Sequence, residues 1–181
     1  MKKLKKIGVQ TIQTLLMCLI LSLVCEGCNA KVFQKKKSMY ESIDSVMRAE
    51  IGDSLTGIML GATNIIADRV VASNDSVTVL SSHKLNKEEK TLTKFLLATQ
   101  EEFGKVGIIF GMPAPSLRLT FIRKKSAVSA EYDFGKHLVI LKGADGKEVT
   151  RYQTTDNLFL KLAMTFFPND DFLTLLLKQN G

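Results

Sequence analysis

Between Leu117 and Gln153 the chain repeats one pattern: a short segment of strand-forming residues, then a tight polar turn. Leu117, Leu119 and Phe121 alternate with Arg118, Thr120 and Ile122, which is the period of a strand with one buried face. Arg123-Lys124-Lys125-Ser126 follows as a charged turn. Val128 to Phe134, His137 to Lys142 and Glu148 to Gln153 then read as further strands. Ala144-Asp145-Gly146 supplies a hairpin turn, with Gly146 free to take positive φ. Strands joined by turns of about two to five residues pair antiparallel with their chain neighbours.

Upstream, Ile65 to Val71 and Val77 to Leu80 read as a strand and its return, separated by the polar turn Ser73-Asn74-Asp75-Ser76. Leu55 to Ala62, with Gly57 and Gly61, reads as a small-residue turn or strand entry. Ser38-Met39-Tyr40-Glu41 has the form of a capping box, and helical spacing runs on to Ile51, with Gly52 as the stop. Asn86-Lys87-Glu88-Glu89 opens a second helix whose face is Leu92, Phe95, Leu96, Thr99 and Phe103, with Gly104 closing it. Asp156-Asn157 opens a third that Pro168 ends, and Asp170-Asp171 begins a last, leucine-rich one. The expected fold is α+β: an antiparallel meander of about four to six strands packed against about three to four helices.

All three cysteines, Cys18, Cys25 and Cys28, precede this domain. Packing alone must hold it, without disulfides or zinc–thiolate sites. Lys2, Lys3, Lys5 and Lys6 lead an apolar run from Leu15 to Val24, the layout of a secretory signal. The lysines stay on the cytoplasmic side while the apolar run enters the bilayer. Gln10, Thr11, Gln13 and Thr14 dilute the first half, which disfavours a retained helix of about 20 apolar residues.

The end of this leader, Cys25-Glu26-Gly27-Cys28, resembles a bacterial lipobox: Gly27 fits, whereas Glu26 and Cys25 depart from the family pattern. The resemblance implies acylation of Cys28 and attachment to a membrane through that lipid. It covers about the first 30 residues and carries no fold or activity. Ordinary signal-peptide cleavage after Ala30, with Cys28 lost, also suits the small residues there. In lipoprotein families the residues after the cysteine influence sorting; no acidic cluster follows Cys28, so the resemblance implies a periplasm-facing protein. Leu85 to Leu97 and Tyr132 to Gly135 resemble segments of small Gram-negative envelope lipoproteins. The expected organisation is signal peptide 1–27, lipidated Cys28 with a basic tether over 28–37, and a globular domain over 38–181.

A formal charge of +7 invites a nucleic-acid partner. The charge lies elsewhere, however. Lys2, Lys3, Lys5, Lys6, Lys31, Lys35, Lys36 and Lys37 all precede Ser38, leaving 17 basic and 17 acidic residues in 38–181. A nucleic-acid partner is therefore not expected. Lys35-Lys36-Lys37 reads as a solvated linker or as a headgroup contact worth about 1 kcal/mol per lysine.

No catalytic set emerges. His83, read in a polar loop, and His137, read at a strand start, lack companions at metal-ligand spacing, so neither a metal nor another cofactor is expected. Asp133-Phe134-Gly135 matches a kinase magnesium motif without the other kinase signatures, and reads as a strand-ending turn. The Gly-Lys pairs lack phosphate-loop spacing. Glu131 and Asp133 share one face of a strand, read as a solvent-facing edge. As a pair they are the one candidate for hydrolytic acid–base chemistry. The expected function is a non-enzymatic, lipid-anchored envelope module that binds an envelope partner, with an envelope hydrolase using Glu131 and Asp133 as the alternative.

Overall fold

The four segments of the meander form β3 (Leu117–Arg123), β4 (Ser126–Asp133), β5 (Leu138–Lys142) and β6 (Glu148–Gln153), each antiparallel to the next. The computed structural model describes residues 47–49, 51–73, 76–99, 111–154 and 157–179, all within the unit spanning 41–181. The proposed leader, Cys28, the basic tether, the Ser38 capping box and Gly104 lie outside the described residues.

The turns behave as their residues dictate. Lys124 takes φ 56° in the two-residue loop between β3 and β4. Gly146 takes φ 76° between β5 and β6, where Gly143 N–H donates to the Lys147 carbonyl at 2.9 Å. His137 lies in the turn before β5, at φ 49°, rather than in the strand itself.

The hairpin β1 (Asn64–Ser73) and β2 (Ser76–Lys84) completes a six-stranded sheet of order β2-β1-β3-β4-β5-β6. His83 therefore sits in β2, opposite Ala67, and not in a loop. A bulge at Leu80 shifts the register between Arg69 and Val70, breaking the period-two pattern that would have extended the strand on paper.

Among the described residues, α1 (Asp53–Leu60), α2 (Lys87–Thr99), α3 (Leu158–Phe166) and α4 (Asp171–Gln179) cover one face, and Met47 to Ala49 and Ile51 are helical as well. α1 replaces the turn or strand entry expected over Leu55 to Ala62. Eight residues are too few for a stable isolated helix, so its form depends on burying Leu55 and Met59. Gly61 is required where it stands: a Cβ there would lie 2.7 Å from Arg123 Nε, whose guanidinium donates to the Gly57 carbonyl at 2.7 Å. α2 starts at a reciprocal capping box, with Glu89 N–H donating to Asn86 Oδ1 at 2.9 Å and Asn86 N–H to Glu89 Oε2 at 2.8 Å.

The core lies between this layer and the sheet. Ile65, Leu119, Phe121, Tyr132 and Tyr152 meet Met59, Leu97, Phe159, Leu160 and Leu173, and Tyr132 stacks on Phe159 with ring centroids 4.6 Å apart. The face of the sheet turned away from the helices carries Arg118, Glu131, Asp133 and Lys142.

Candidate functional site

Strand alternation puts Glu131 and Asp133 on the same face of β4, as the sequence indicates. Their surroundings correct the expectation of a solvent-facing edge. β4 is an interior strand, and the two residues are 2% and 4% exposed. A buried carboxylate needs hydrogen-bond donors, and register supplies them to Glu131. Arg118, its cross-strand partner on β3, donates Nε to Oε1 at 2.9 Å. Lys142, from β5 on the other side, brings Nζ to 2.8 Å from Oε2. The two cations are about a quarter exposed, so the cluster joins a buried anion to a hydrated positive rim.

Asp133 is engaged differently. Its Oδ1 accepts from Lys136 N–H at 3.1 Å, closing the turn after β4, and its Oδ2 accepts from Ala114 N–H at 2.8 Å. The Asp133-Phe134-Gly135 triplet is thus a turn clasp that also fixes the irregular segment entering β3. Each oxygen of both carboxylates has a donor within the protein. The two acids have separate partners and do not hydrogen-bond to a shared donor.

A second polar cluster lies on the helix side, at the β1–β2 end, and had no signal in the sequence beyond a lone basic residue in an apolar strand. Arg69, 4% exposed, donates Nε to Asp170 Oδ2 at 2.8 Å and Nη1 to the Ser116 carbonyl at 3.1 Å. Its guanidinium lies 4.7 Å from the Phe172 ring centroid. Asp170 Oδ1 accepts Leu173 N–H at 2.9 Å, so one carboxylate caps α4 and pairs with a residue 101 positions away. Beside it, Ser81, Phe167, Pro168, Asn169 and Asp170 line an open hollow of about 290 Å³.

His83 stacks on Phe166 at 5.3 Å, and its Nε2 lies 3.1 and 3.0 Å from the two oxygens of Glu89, the carboxylate that closes the α2 capping box. This ties β2 to α2 and α3 and leaves the histidine a structural post. Lys94, also missed in the sequence, donates Nζ to the Ala62 carbonyl at 2.6 Å, while burial, and then the charge of Lys90, hold its pKa below the ordinary lysine value. Its proton is committed to securing the α1–β1 connection. Among the described residues, no group of three or more His, Cys, Asp or Glu could hold a metal, and no helix is long and apolar enough to cross a membrane.

Comparison with known proteins finds no family model, no curated protein and no solved structure that matches this chain.

Proposed function

We propose that this is an exported, lipid-anchored cell-envelope protein whose domain acts by binding an envelope partner rather than by catalysis. Export and anchoring rest on the basic-apolar leader and on Cys25-Glu26-Gly27-Cys28, with acylation at Cys28. Multiple acyl chains give the stable attachment that one chain does not.

The observation that most supports binding over hydrolysis is the occupancy of Glu131 and Asp133. A general acid or base must reach the proton it transfers, at about 2.6–3.2 Å or through one water. Here Arg118, Lys142, Lys136 N–H and Ala114 N–H take those positions. A hydrolase working through this pair would first have to break contacts that hold β3, β4 and β5 together.

The test is the intact mass of the protein taken from the membrane fraction of its native or a related host. A mass beginning at Cys28 with added acyl chains supports the proposal. A lipid-free mass beginning near Lys31 replaces it with a soluble exported domain, and an unshortened chain replaces it with a retained membrane helix.

A further inference from the structure

Strand β2 lies at the sheet margin, paired with β1 on one side only among the described residues. It is nine residues long and holds no Asp, Glu, Lys or Arg from Ser76 to His83. Val79 and Leu80 are 45% and 59% exposed. Monomeric proteins blunt a sheet margin with charges, proline, bulges or short length, because its free peptide groups are a template for another strand. From Ser76 to His83, β2 has the bulge alone among the described residues.

The hydrogen-bond phase identifies those free groups. Leu85 N–H donates to the Ile65 carbonyl, so by alternation the peptide groups of Ser82 and Lys84 point away from β1. Val70 N–H donates to the Ser116 carbonyl on the opposite side, so its partner Val79, and with it Val77, also points outward. The bulge at Leu80 separates these two sets.

We propose that two copies of this chain pair antiparallel through β2, about a two-fold axis between Leu80 and Ser81. In that register Val79 faces Ser82 of the second copy, and Val77 faces its Lys84. All four outward residues then meet in the hydrogen-bonded phase at once. Their side chains also match in face: Val79 opposes Val70, and Ser82 hydrogen-bonds Asp68, both on the side away from the helices. The occupant is a second copy because a neutral strand is complementary to itself. The only charges on it, the two Lys84 ammonium groups, fall at opposite ends of the added pairing, about 24 Å apart at strand rise. The inference is independent of export and lipidation.

Sedimentation of the full-length protein in detergent tests it, using matched lysine substitutions at the two margins of the sheet. Val79→Lys sets an ammonium diagonal to Lys84 of the second copy, while Val149→Lys places one on β6, at a similarly exposed position. The expected result is a wild-type dimer whose dissociation constant rises about tenfold or more in V79K and is unchanged in V149K. A protein monomeric at every concentration, or a dimer equally stable in V79K, overturns the proposal. Should V79K fail to fold by circular dichroism, the double variant V79C/S82C decides, compared with its single variants and the wild type in a common background of Cys18→Ser, Cys25→Ser and Cys28→Ser. On mild oxidation it forms a disulfide-linked dimer that neither single variant nor the wild type gives, and absence of that species overturns the register.

Discussion

The two margins of the sheet follow opposite rules. β6 has six residues, carries the exposed Glu148–Arg151 ion pair, and commits only Tyr152 to the core. β2 has nine, is uncharged through His83, and is bound to the helix layer by buried or half-buried polar groups in and beside it: His83 with Glu89, and Arg69 of β1 with Asp170. One margin is protected from other strands and loosely tied to its own domain. The other, among the described residues, is unpaired along its edge and firmly tied behind. Resistance to association and attachment to the core are thus separate design problems, solved in this sheet at different ends.

Four measurements would break or sharpen that contrast. Asp170→Ala should have the largest effect, a loss of about 3–4 kcal/mol in denaturant unfolding, since it removes the α4 cap and strands the Arg69 guanidinium in the interior. A loss under about 1 kcal/mol would show that the β2 end is not held by this contact. Glu131→Ala, in the middle of the sheet, should cost about 2 kcal/mol, because Arg118 and Lys142 are exposed enough to recover water once the carboxylate is gone. At the β6 end, burial raises the Tyr152 phenol pKa above its ordinary 10.0. The folded state then keeps a proton that the unfolded state loses. Stability is unaffected below pH 10 and declines above it, by up to about 1.4 kcal/mol per pH unit. Tyrosinate absorbance of Tyr152 should therefore appear only with unfolding. Arg151→Ala should be the smallest, within about 0.5 kcal/mol, because its pair with Glu148 is exposed on both sides.

Legibility from sequence followed the locality of the physics. The β3–β6 meander was readable because each strand pairs with its chain neighbour and each turn carries its own residues, Lys124-Lys125 and Asp145-Gly146 among them. The α2 start was readable because Asn86 and Glu89 satisfy each other within one turn. α1 was not, since Asp53–Leu60 contains Gly57, borders Gly61, and is helical only against the core. The full length of β2, and His83 within it, escaped because the bulge at Leu80 interrupts alternation and nearly all its side chains are exposed. Glu131 looked like a surface acid because the partners that bury it arrive from two other strands, and only register reveals them. The pairing of Arg69 with Asp170 spans most of the domain and has no local trace.

The strand order also sets how this domain assembles in time. The β1–β2 hairpin with α2 is a contiguous block of local contacts, and so is the β3–β6 meander. Among the described residues, the strand pairing that joins them is a non-local seam, where β1 pairs with β3 and Thr63 N–H reaches the Ile122 carbonyl across 59 residues of chain. Loop closure must precede that reward, so the seam governs the folding rate while the two blocks form quickly on either side of it. Until the seam closes, β1 and β3 each present an open margin to the surrounding solution. A newly emerged chain is thus most exposed to strand exchange at two strands that both lie in the interior of the finished sheet.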